Sequence, residues 1–117
     1  MAATTKAQLA TRVLRRIGVL GQNQTASAAD SALVEAIIDD LHASLRRDGL
    51  APFYLTAIPD GAQVPLEMMV AGRAITPFGV TGERRQVIMA DALAGRRDLS
   101  IWARAARPAR DVRITGF

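Results

Sequence analysis

The chain contains no cysteine and a single histidine, His42. The first absence excludes disulfides, thiolate catalysis and cysteine-ligated zinc. The second leaves no pair of histidines to share a metal. Aromatic residues are also scarce: one tryptophan, one tyrosine and three phenylalanines in 117 residues. A core must therefore be built from Leu, Ile, Val, Met and Ala, which favours helices over a β-sandwich. No uncharged apolar run approaches the roughly 20 residues needed to span a bilayer. The opening Met-Ala-Ala-Thr-Thr-Lys lacks the charged-then-apolar pattern of a secretory signal. A soluble protein made in the cytoplasm, with no membrane contact, is the expectation.

What the chain does have is enough apolar material for one modest domain and an uneven charge. Residues 1–83 carry 7 basic and 8 acidic groups, whereas residues 84–117 carry 8 arginines and 3 aspartates. The balance thus moves from −1 to +5 and puts a basic face or tail at the C-terminal end.

Four helices are predicted, at about 5–17, 27–48, 65–76 and 82–106, in an all-α four-helix bundle. Thr5 is a fitting N-cap, Leu9, Val13, Leu14 and Ile17 recur at helical spacing, and Gly18 suits the C′ position. Ser27-Ala28-Ala29-Asp30 resembles a capping box with aspartate in place of glutamate. Leu33, Ile37, Leu41 and Leu45 follow four residues apart, and Gly49 ends that helix. Pro52 and Pro59 punctuate a connector in which Asp60-Gly61 signals a turn and residues 53–58 have the composition of a short extended segment.

The third helix is the most distinctive. Pro65 suits a first helical turn, Pro77 cannot continue the helix, and Gly79 permits the turn that follows. Between them Leu66, Met68, Met69, Val70, Ala71, Ala74 and Ile75 leave almost no polar face, which belongs in the middle of a bundle. Arg73 is its one positive charge. It is expected in a structural ion pair, with Glu67 or Asp91, or at a subunit interface. Thr81 opens the fourth helix, with Val87, Ile88, Ala92, Leu99, Trp102 and Ala106 on one face. One helix running through Gly95 is preferred to a break there. Pro108 stops it, and the tail from Asp111 to Phe117 alternates polar and apolar residues as a strand would. A terminal strand without a partner is suited to pairing with another protein's sheet edge.

Candidate chemistry is thin. Asp39 and His42, with Glu35 a turn earlier, have the spacing of one half of a di-iron site, but no second histidine completes it, and a solvated helix face is the expected reading. Gly18-Val-Leu-Gly21 lacks the Lys-Ser/Thr of a phosphate loop. The serines fall at caps or on helix surfaces. No catalytic residue, metal or cofactor is assigned. The C-terminal arginines are not spaced like a base-reading helix but suit backbone phosphates or an acidic protein.

Three blocks stand in order: Leu-Ala-Thr-Arg-Val-Leu-Arg-Arg-Ile-Gly-Val in the first helix, a long second helix ending Leu-Arg-Arg-Asp-Gly-Leu, and the third helix with Pro65, Leu66, Ala71, Arg73, Pro77 and Gly79. Together, over roughly residues 5–95, they resemble the head–tail connector (adaptor) proteins of tailed bacteriophages and gene transfer agents, in particular the packaged-DNA stabilisation proteins of short-tailed phages. Two features depart from that pattern. Arg46-Arg47-Asp48 stand where many relatives have a tryptophan before the glycine, and the C-terminal extension is shorter than in the largest relatives. The resemblance implies a virion protein at the head–tail interface. It would form a ring, usually of twelve copies, beneath the portal, extend the DNA channel and offer a platform to a downstream tail or stopper protein. It would occupy the host cytoplasm only during assembly. Residues 1–107 would form the adaptor domain and 108–117 a portal-docking tail, with Arg107, Arg110, Val112, Arg113, Ile114 and Phe117 as contacts and nonspecific contact with packaged DNA. The alternative is a small helical DNA-binding or regulatory protein. Against it, the linker of about nine residues after the first helix is too long for a helix-turn-helix.

Overall fold

The computed structural model describes residues 4–106. It consists of four helices, α1 (Lys6–Arg16), α2 (Ala28–Arg47), α3 (Asp60–Ala74) and α4 (Gly82–Ala105), with no strand among the described residues. No helix there is long and apolar enough to cross a membrane. The expected docking contacts Arg107, Arg110, Val112, Arg113, Ile114 and Phe117 lie outside the described residues, as does the alternating tail.

The helix ends follow from local chemistry. The Thr5 hydroxyl accepts from Gln8 N, and the Gln8 side chain accepts from Thr5 N at 2.9 Å, closing a reciprocal capping box. The Ser27 hydroxyl accepts from Asp30 N at 3.1 Å. The aspartate does not reach back to close the box, its side chain being one methylene shorter than glutamate's. At the end of α1, Val19 N donates to Leu14 O and Gly18 N to Arg15 O, with Gly18 at φ +85°. That left-handed residue satisfies two otherwise orphaned carbonyls. The absence of a Cβ also lets the Arg84 guanidinium lie against Gly18, bringing positive charge to the negative end of the helix dipole.

α3 begins five residues earlier than expected. Pro59 is its N-cap, Asp60 opens the first turn, and Pro65 sits inside the helix. The Gln63 amide donates to Asp60 Oδ1 and to Ile58 O, bracing that first turn. Pro65 therefore leaves one hydrogen bond unmade near the N-terminal end and does not start the helix. The exit matches expectation. Pro77 has no N–H to offer Arg73, and the chain closes through Val80 N to Ile75 O at 2.8 Å and Gly79 N to Thr76 O at 3.1 Å. Residues 53–58 form an irregular loop and not an extended segment. The loop is tied to the approach to α1, where Ile58 N donates to Thr4 O and Lys6 N to Leu55 O, each 2.8 Å.

α3 is the hub. It packs against α1, α2 and α4, and Leu66, Val70, Ala71 and Ala74 are fully buried on it. Each fully buried Leu or Val contributes about 1.5–3 kcal/mol relative to exposure. α2 turns Val34, Ile38, Leu41 and Leu45 inward, not the expected Leu33–Ile37 row: Leu33 is 40% exposed and Ile37 half-buried. α4 runs unbroken through Gly95, but its buried residues are Ile88, Gly95, Leu99 and Ala103. Val87 and Ala106 are exposed.

The α3–α4 crossing is close because small residues line it. A Cβ on Gly95 would stand 2.7 Å from the Pro65 carbonyl oxygen, one on Gly72 would stand 2.6 Å from Ala92 Cβ, and one on Gly61 would run into the Trp102 ring. The crossing leaves α4 without a close backbone approach to α1 or α2.

Candidate functional site

Because the backbone of α4 comes close to that of α3 alone, an open groove remains between α2 and α4, with α3 as its floor. Its volume is about 450 Å³, and its lining includes Leu41, Met69, Gly72, Met89, Ala92 and Leu93. Leu93 is 77% exposed and Met89 49% exposed, so the α4 wall is apolar yet wet. Arg73 and Arg96 stand at the edges. Arg96 Nη2 reaches Asp48 Oδ2 at 3.6 Å and ties α4 to the end of α2. Beyond Arg73 the groove opens into a second concavity lined by Ile37, Asp40, Gly72 and Thr76.

Arg73 itself is exposed and forms no ion pair among the described residues. Both carboxylates expected to meet it are engaged by α1 instead. Glu67, 6% exposed, accepts from Arg12 Nε at 2.8 Å on one oxygen and from Arg16 Nε on the other. Arg16 Nη1 also lies 3.6 Å from Asp91 Oδ2, and Arg12 Nη1 donates to Gln63 Oε1 at 3.1 Å. Arg12 and Arg16 are four residues apart and reach one point across α1. The node joins α1, α3 and α4, and no buried side-chain polar atom among the described residues lacks a partner. A carboxylate inside an otherwise apolar helix was the signal that could have found it, since a buried charge needs company.

The Asp39–His42 pair diverges. Asp39 pairs with Lys6 at 3.1 Å on the surface. His42 is not on a solvated face: it turns inward, and its Nε2–H donates to Phe53 O at 2.8 Å. A carbonyl can only accept, which fixes the proton on Nε2. The imidazole lies 5.4 Å from the Phe53 ring, and Phe53 meets Trp102 edge-on at 5.8 Å. These rings close one end of the core, while Tyr54 stays outside beneath Arg46. His42 is thus a structural donor. His42→Ala is expected to cost about 1–3 kcal/mol by leaving a buried carbonyl unpaired, measured by urea denaturation. Added zinc should leave the wild-type midpoint unchanged. No group of three potential metal ligands converges among the described residues.

The described residues therefore form an all-α arrangement of four helices with an apolar groove edged by arginine. No known protein family, curated protein or solved structure matches the chain.

Proposed function

We propose that this chain is a head-to-tail adaptor that assembles as a ring beneath a portal, extends the DNA channel and receives a tail or stopper protein. The reading is carried by the order of its parts: a short α1, a long α2, an α3 with a Pro-Phe-Gly exit, and an α4 leading into a basic tail. The hub position of α3 is consistent with a domain whose outer helices serve assembly. Arg73, exposed and without an ion-pair partner among the described residues, fits a contact between copies of the chain. The docking tail is 108–117, where Val112, Ile114 and Phe117 would pair with portal backbone and Arg110 and Arg113, with Arg107 just before them, would meet acidic groups.

The test is co-sedimentation with portal rings encoded in the same genome. The full chain should pellet with the rings. A chain ending at residue 107 should keep its helical circular dichroism and remain in the supernatant. Failure of the full chain to pellet removes the adaptor reading, and a truncated chain that pellets removes the tail from docking. The second reading, nonspecific DNA binding, is favoured by the exposed Arg84, Arg96, Arg97 and Arg104 along α4. It requires duplex affinity that falls steeply with salt.

A further inference from the structure

The groove and the flank of α2 beside it form one bipolar patch. On one half, Met89 and Leu93 stand exposed with Arg73 and Arg96. On the other, Leu33, Ile37 and Asp40 follow one another at three- and four-residue spacing along α2. Asp30 and Asp48 share that flank by the same helical spacing. Asp40 and Arg73 line one concavity of about 470 Å³, yet they do not close it as an ion pair. Neither has an oppositely charged partner among the described residues. Two complementary charges therefore face a shared opening, Arg73 beside the exposed Met89 and Leu93 and Asp40 beside the half-buried Ile37.

Patch halves that adjoin on a single face suit a two-fold contact, in which residue i of one copy meets residue j of the other and the reverse holds equally. A head-to-tail contact would need the complementary halves on separate faces. We propose that two copies of the free protein pair through this face. Leu33 and Ile37 of each copy enter the groove of the other beside Met89 and Leu93, and Asp40 of each copy meets the other's Arg73. Exposed methionine suits such a surface, since its unbranched thioether adapts to the shape opposite. The proposal does not depend on the adaptor reading, because it concerns the protein before any portal contact.

Sedimentation equilibrium of the full chain across a wide concentration range should show mass rising from 12.5 kDa to twice that value and no further. Leu93→Glu, at a site exposed enough to spare the fold, should hold the protein monomeric with unchanged circular dichroism. Arg73→Asp and Asp40→Arg should each weaken pairing by about tenfold or more, because each sets like charges together twice in one dimer. An equimolar mixture of these two variants should pair again. In the mixed dimer the introduced aspartate of one chain faces the introduced arginine of the other, and the retained Asp40 faces the retained Arg73. That recovery separates charge pairing from damage to the fold. A mass that stays at the monomer, one that grows beyond the dimer, a dimer indifferent to Leu93→Glu, or a mixture that fails to pair overturns the proposal. None of these results bears on co-sedimentation with portal rings.

Discussion

Alanine at both Arg12 and Arg16 is expected to destabilise the protein by about 3–5 kcal/mol, the range seen when a buried charge loses its partners. The asymmetry of the node makes this test sharp. Glu67 is buried, whereas the side chains of Arg12 and Arg16 remain 34% and 28% exposed. Removing the arginines strands a carboxylate inside α3, with only the distant dipoles of the helix to compensate. Removing the carboxylate strands nothing, because both guanidinium groups can turn to water along their flexible stems. Glu67→Met, similar in volume and shape, should therefore cost no more than about 1 kcal/mol, as buried ion pairs often exchange for apolar residues at little loss. Urea titration of the three proteins gives the ordering. Equal losses in the two arms would mean that the arginines stabilise through packing alone.

Leucine at Gly95 is expected to cost about 3 kcal/mol, the upper part of the usual range for overpacking. The obstacle is backbone: the Pro65 carbonyl stands where a Cβ would need room, with Met68 Cβ 3.1 Å away on the same side. Alanine tests the point most directly. Helix propensity alone favours alanine over glycine by about 1 kcal/mol, so in an open helix Gly95→Ala would raise the melting temperature. Against the Pro65 carbonyl it should lower it, because α3 and α4 must separate along their whole crossing to admit one methyl group. A thermal melt of the alanine variant above wild type would show that the approach is looser than described.

The helices and their exits were legible because they rest on local chemistry. Thr5, Gly18, Ser27, Gly49 and Gly79 each act through bonds to residues a few positions away, and the apolar girth of α3 gave its central place. What was not legible depended on which neighbour each face would meet. The row Leu33–Ile37–Leu41–Leu45 is as regular as the true inner face Val34–Ile38–Leu41–Leu45, and only the position of α1 and α3 selects between them. Pro65 looked like a helix start because Asp60-Gly61 reads locally as a turn. The bracing of that turn by Gln63, and the packing of Gly61 on Trp102, come from tertiary structure. The partners of Glu67 were missed for the same reason: Arg12 and Arg16 lie 55 and 51 residues away. The groove is a gap left by the close α3–α4 crossing, and no sequence periodicity describes a gap.

The close backbone packing of α4 on α3 alone divides the protein's freedom to vary. A change in α3 is felt at three interfaces, so its residue types are held by folding. The outer face of α4 answers to no such constraint. Leu93 could become lysine without disturbing a buried contact, and a wetter side chain there would favour solubility. Drift across that face is therefore limited only by whatever presses on it from outside the chain.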